Sequence, residues 1–342
     1  MTETKDVLLP FHPHPLAAGG HLQTLIGYYL PTSTRLEPPT LHEVPVSDGD
    51  RLMLCENKPS RKATIKRAIV LAHGLGGDAT SPYIVRLADL FVQRGWHVFR
   101  MNHRGCGQGA GLARKTYHSG RSDDISAVLA SIESLCPGKP LIAVGFSLSG
   151  NALLKLLGEK KEPIASTLKG AIAVTPPIEL ARCAEALCQF QNRIYDLRFV
   201  RMLKQDVRRR QSDFPGFPDI PFTWKMRLRD FDEMCTAPLN NFSSAQDYYD
   251  KCSARQFLGG ITLPTFLLAS ADDPFIPKET FHNLPENKHI TYLITKSGGH
   301  MGYIPAHPTP LRTYRWMDYA ILTYAERFLG RTTRVDKNET GG

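Results

Sequence analysis

The chain has no C-x-x-C pair, no unbroken apolar run of about 18 residues, and no glycine loop that closes in G-K-[ST]. Its cysteines number seven and are scattered: Cys55, Cys106, Cys136, Cys183, Cys188, Cys235 and Cys252. An odd, unpaired set gives neither a disulfide framework nor a zinc site, so no metal is expected, and reduced thiols fit a cytoplasmic chain. Met1 to Pro10 mixes two acids and a lysine, with no long apolar run behind it, so no secretory leader is expected. Without long apolar runs no membrane span is expected, and without G-K-[ST] no phosphate loop is expected. The net charge is +9, but zinc-finger spacing and aromatic–basic RNA-binding signatures are missing. Charge alone is weak ground for a nucleic-acid partner, and none is expected.

What is present suits a globular protein with a real core: 342 residues, 42% hydrophobic and 22% charged. Residues 1–40 are rich in proline and histidine and read as an arm with one short helix, His21 to Leu30. Leu41–Val46 and Leu52–Cys55 flank Gly49 as a β-hairpin. Short apolar runs then alternate with helical patterns. Strands are expected at Ala68–Ala72, Val98–Met101, Leu141–Val144, Gly170–Val174, Thr265–Ala269 and Ile290–Ile294. Helices are expected at Tyr83–Arg94, Ser122–Leu135, from Gly150 through Leu157, near Lys278–Asn283 and over Leu311–Phe328. The alternation predicts an α/β fold, a mostly parallel central sheet with helices on both faces. Residues 176–258 break the rhythm and read as an inserted helical cap, which divides the core into 41–175 and 259–330; residues 331–342 read as a flexible tail.

The strand Leu141–Val144 runs straight into Gly145-Phe-Ser-Leu-Ser-Gly150. A nucleophilic serine must stand clear of its neighbours, which a strained strand-to-helix turn achieves. Such a turn needs small residues two before and two after the serine. Gly145 and Ser149 stand there if Ser147 is the nucleophile. Serine in the second place departs from G-x-S-x-G, and Ser149 is itself an alternative nucleophile, with Asn151 a poor fit in its flank.

In chain order an acid and then a histidine should follow. After Thr265–Ala269 come Asp272 and Asp273, and after Ile290–Ile294 comes His300 in Gly298-Gly-His-Met-Gly302. His300 would take the serine proton and return it to the leaving group, while a carboxylate holds the imidazole tautomer. Asp273 is the favoured acid, and Asp272 could cap the turn instead. The second donor of an oxyanion hole belongs after the third strand, where His73-Gly-Leu-Gly-Gly77 lies. The N–H groups of Leu75 and Leu148 are the candidates, and His73 reads as a brace of that loop.

With Asn102-His-Arg-Gly-Cys-Gly107, Asp272-Asp-Pro274 and the N-terminal Gly20-His-Leu-Gln-Thr-Leu25, these segments resemble the YheT-like branch of the α/β-hydrolase-domain proteins, over about residues 10–330. The resemblance implies the α/β-hydrolase fold and hydrolysis of an acyl ester, short- or medium-chain or acylglycerol-like, with no metal or organic cofactor. Acyl transfer on the same residues, or a non-catalytic lipid- or protein-binding role, are the alternatives. His21 and Gln23 read as an N-terminal anchor or as part of the site lining, and Arg104 and Gly105 as shaping the loop after the fourth strand. Arg193–Arg210 holds seven basic residues against two acidic. It reads as a cap helix with a solvated charged face, or as a surface for peripheral contact with anionic membrane. Phe214, Phe217, Phe222, Trp224 and Phe231 could line an acyl pocket or pack the cap.

Overall fold

A computed structural model of the chain describes residues 8–59 and 65–330. The tail read at 331–342 lies outside the described residues. Eight strands form one sheet: β1 (Thr40–Pro45), β2 (Arg51–Asn57), β3 (Ala68–Ala72), β4 (His97–Asn102), β5 (Leu141–Phe146), β6 (Leu168–Val174), β7 (Thr265–Ser270) and β8 (Ile290–Thr295). Their order is β1-β2-β4-β3-β5-β6-β7-β8. The β1–β2 and β2–β4 pairs are antiparallel, and every pair from β4–β3 to β7–β8 is parallel.

The interior strands are buried on both faces, and their period of two sorts side chains between two cores. Ile69, Leu71, Ile142 and Val144 pack with α2 (Pro82–Gln93) and α10 (Trp316–Phe328). Val70, Ala72 and Ala143 pack on the other face with α3 (Ser122–Leu135) and α4 (Leu148–Glu159). Each fully buried Ile, Leu or Phe in these layers contributes about 1.5–3 kcal/mol of hydrophobic free energy. That is why five-residue runs such as Ala68–Ala72 hold as strands without help from local propensity.

The arm carries α1 (Gly20–Tyr29), one residue earlier than the sequence suggests. Between β6 and β7 the chain forms α5 (Leu180–Leu187), α6 (Arg193–Asp213), α7 (Leu228–Phe231), α8 (Ala237–Leu239) and α9 (Ala245–Cys252). A π-helical turn, Asp232–Thr236, joins α7 to α8. Two expected helices differ. Lys278–Phe281 is a single 3₁₀ turn. The last helix begins at Trp316 rather than Leu311, because Pro308 and Pro310 hold a turn in which Thr309 accepts the Arg312 N–H. Arg104 is fully buried, paired with Asp124, Asp48 and Asp50. Its carbonyl accepts from Arg210, and that of Gly105 accepts from Arg209, which docks α6 on the loop after β4.

Candidate active site

Four loops at the carboxyl ends of β3, β5, β7 and β8 meet at one place. Ser147 follows β5 with φ 50° and ψ −116°, a backbone conformation that L-residues avoid. Gly145 makes the turn possible: a Cβ there would sit 2.5 Å from the Ser149 carbonyl oxygen. The Ser147 Oγ lies 3.1 Å from His300 Nε2, and His300 Nδ1 lies 2.8 Å from Asp273 Oδ2. The other Asp273 oxygen accepts the N–H groups of Phe275 (2.8 Å) and Ile276 (3.2 Å), which fixes the carboxylate. The structure thus brings Ser147, His300 and Asp273 together in hydrogen-bond reach.

Asp272 does something else. Its Oδ1 accepts the Gly299 N–H at 2.8 Å, so it braces the loop that carries His300. The arm holds the same loop from the other side. Thr24 Oγ1 accepts the His300 N–H at 2.8 Å, and buried Gln23 exchanges hydrogen bonds with the Ile304 backbone. His21 is exposed and meets Tyr195 OH at 3.2 Å.

Ser149 is fully buried, and its hydroxyl is held at His73 and His103 rather than at His300. Its hydroxyl donates to the His73 carbonyl and lies 2.6 Å from His103 Nε2. The partner pattern assigns the tautomers: His103 Nε2–H donates to Ser149, and His73 Nε2 accepts the His103 backbone N–H, so His73 Nδ1–H donates to the Gly74 carbonyl. Burial drives His73 down to about 4 and His103 well below the usual histidine value, so both rings are neutral. The glycine loop after β3 therefore rests on a neutral hydrogen-bonded pair. Two tyrosine hydroxyls pin it on either side of Leu75: Tyr83 accepts the Gly74 N–H and Tyr117 the Gly76 N–H, each at 2.9 Å. The sequence reading missed Tyr83, Tyr117 and His103. Only the position of His103, directly after β4 beside the glycine loop, offered a signal.

A cavity that opens partly to solvent adjoins these groups. Leu75, Ser147, Leu148 and His300 line it together with Phe199, Leu203 and Phe231 from the segment between β6 and β7. Of the five aromatics singled out by sequence, only Phe231 lines it. Trp224 is 81% exposed, and Phe217 and Phe222 pack at the edge of the core. Asp232, in the π-turn, also lines the cavity; Thr236 Oγ1 donates to it at 2.7 Å and Tyr249 OH at 2.8 Å.

A mostly parallel sheet with serine, acid and histidine in chain order on the carboxyl-end loops of β5, β7 and β8 defines an α/β hydrolase. The family model described as serine aminopeptidase, S33, matches residues 63–301. The chain is 30% identical over 315 residues to YheT of Escherichia coli (strain K12), a provisionally named esterase, covering 90% of this chain and 91% of that one. It is 28% identical over 251 residues to Phospholipase ABHD3 of Mus musculus, covering 71% of this chain and 59% of the relative. The esterase Pf2001 of Pyrococcus furiosus superposes with a TM-score of 0.56 at 15% identity, over 87% of this chain and 91% of that one, a likeness of fold alone. The chain belongs to the serine aminopeptidase S33 family of α/β hydrolases, in the branch that contains YheT.

Proposed function

We propose that the chain is a carboxylic-ester hydrolase that works through an acyl-enzyme on Ser147. The reading is carried by one observation, the Ser147–His300–Asp273 linkage opening on an apolar-lined cavity. His300 Nε2 takes the Ser147 proton as Oγ attacks the ester carbonyl, and Asp273 holds the Nδ1–H and stabilises the imidazolium. The N–H groups of Leu75 and Leu148 would receive the developing oxyanion, each worth roughly 3 kcal/mol of barrier. Leu148 opens α4, so the helix dipole favours the same negative charge. When the tetrahedral intermediate collapses, the alcohol leaves with the proton from His300. Water then attacks the acyl-enzyme with His300 again as base, releasing the acid and regenerating Ser147.

The esterase and phospholipase names of the relatives agree with this reading. The cavity lining favours an acyl ester with an apolar chain, and the segment between β6 and β7 acts as its cap. The test is fluorophosphonate labelling and p-nitrophenyl butyrate hydrolysis by the full chain and by Ser147→Ala. Label and turnover in wild type that both vanish in folded Ser147→Ala support the reading. Turnover that survives in Ser147→Ala overturns it. Adding an alcohol acceptor and analysing products separates hydrolysis from acyl transfer.

A further inference from the structure

Helix α1 has no Asp, Glu, Lys or Arg in its ten residues, GHLQTLIGYY. Its outward side shows Leu22, Leu25 and Tyr29 to solvent, Tyr29 with 67% of its surface exposed. Beside it, the start of α6 and the turn before it expose Leu197, Ile194 (77%) and Phe190 (92%). Single exposed apolar residues are ordinary on a protein surface. These lie on two helices in contact: the His21 ring stacks on Tyr195 with centroids 5.7 Å apart, and the Arg198 guanidinium lies 4.5 Å over Tyr28.

The surface is next to the catalytic histidine. Thr24 of α1 accepts the His300 N–H, Tyr195 of α6 packs on Phe275 at 4.6 Å, and Phe275 packs on His300 at 4.6 Å. From Arg198 to Arg209 its exposed charge is of one sign. Along α6 the solvent-facing positions that continue from Ile194 and Leu197 are Arg198, Arg201, Gln205, Arg208 and Arg209. Of the three acids of the helix, Asp213 is exposed but stands at its far C-terminal end, and the other two do not balance them. Asp196 is fully buried between Arg193 and Arg227, and Asp206 is tied to Arg209 and Arg210. Exposed Trp224 flanks the same helix, where Lys204 Nζ holds the Thr223 carbonyl at 2.6 Å.

We propose that this α1–α6 surface docks the enzyme on an anionic lipid bilayer. The apolar side chains enter the headgroup boundary and the arginines meet lipid phosphates, which sets the mouth of the cavity against the membrane. Apolar insertion combined with an arginine stripe is what an interfacial helix needs, and the acids within the stripe, Asp196 and Asp206, are each paired with arginines, which leaves the exposed acid of the helix, Asp213, at its far end. The proposal rests on the ester-hydrolase reading for its purpose, and it names the substrate class: acyl esters carried in a lipid surface.

The test is co-sedimentation of the full chain with vesicles of phosphatidylcholine alone or mixed with phosphatidylglycerol, with p-nitrophenyl butyrate hydrolysis measured in parallel. Wild type partitions onto the mixed vesicles, and added salt weakens it. The pair Ile194→Asp and Leu197→Asp lowers partitioning about tenfold or more per residue. The pair Arg201→Gln and Arg208→Gln lowers it about fivefold per arginine, on the anionic vesicles only. Both double variants hydrolyse the soluble ester at the wild-type rate, since none of the four residues lines the cavity. Wild type that hydrolyses the soluble ester but ignores the mixed vesicles overturns the docking surface alone. So does partitioning unchanged by the aspartate pair. A wild-type dimer that the aspartate pair disperses gives the surface to a second copy and also overturns it. Vesicle binding that responds to both pairs, without any ester turnover, upholds the surface and removes the hydrolytic reading.

Discussion

Ser149→Ala separates the two serines of the turn by opposite responses. The Ser149 hydroxyl is fully buried and bridges two groups, accepting from His103 Nε2–H and donating to the His73 carbonyl. Removing it orphans both, and a buried polar group left unpaired costs about 1–3 kcal/mol. His103 Nε2 already lies 3.3 Å from the His73 carbonyl, so the two can re-pair across the gap in a longer bond. That places the loss near the middle of the range, about 2 kcal/mol. Unfolding entropy near 2.1 cal/mol/K per residue turns this into a Tm drop of about 3 °C for a chain of this size. Calorimetry reads the drop, and intact-protein mass spectrometry after fluorophosphonate treatment reads the label. The variant should melt lower and still take one label per chain. A folded Ser149→Ala that takes no label would refute the reasoning, and so would one that melts with wild type.

Ser147→Ala should abolish labelling and cut ester turnover by at least about 10⁴-fold. Ser147→Gly should be more stable than Ser147→Ala by about 1 kcal/mol in urea titration, because glycine relieves the positive φ at a smaller entropic cost. Asp273→Asn should lower kcat by about 10⁴-fold through the wrong histidine tautomer, whereas Asp272→Asn, whose oxygen can still accept the Gly299 N–H, stays within about tenfold of wild type. Burial lifts the Asp232 carboxyl from 3.8 to about 6. The folded chain therefore keeps a proton that the unfolded chain loses, and stability falls as pH rises through that window, by up to about 3 kcal/mol. Asp232→Asn lacks this titration, so its stability relative to wild type, followed by urea denaturation against pH, should climb across the window and level off above it. Gly145→Ala should cost about 3 kcal/mol or more and remove the label, since its Cβ would meet the Ser149 carbonyl oxygen at 2.5 Å and backbone cannot yield as a side chain can.

The eight strands were legible because each is a short apolar or alternating run bounded by glycine, proline or charge. Doubly covered parallel strands leave that pattern whatever their neighbours are. Ser147, Asp273 and His300 were legible as candidates from chain order after three of those strands, and the fold brings them into hydrogen-bond reach. What stayed hidden depends on contacts distant in sequence or on backbone detail. The π-turn at Asp232–Thr236 adds one residue to a helical turn and leaves no periodicity to read. The pairing of Ser149 with His103 spans 46 positions, and the tyrosines that pin the glycine loop after β3 arrive from α2 and from the loop before α3.

Ser149 shows how a departure from a pattern can be read physically. A glycine two after the nucleophile is expected where strand and helix backbones nearly touch. Here the close approaches fall on either side of it. A Cβ on Gly145 would meet the Ser149 carbonyl oxygen at 2.5 Å, and one on Gly150 would meet the Gly145 carbonyl oxygen and the Pro176 ring at 3.1 Å. It is the backbone of Ser149 that crowds the strand, while its side chain points toward β3 and β4, where a hydroxyl finds the His73 carbonyl and the His103 ring. Serine at this position thus exchanges the freedom of glycine for a tie between the turn that carries Ser147 and the glycine loop after β3. In the proposed mechanism those two segments hold their spacing while charge develops between them.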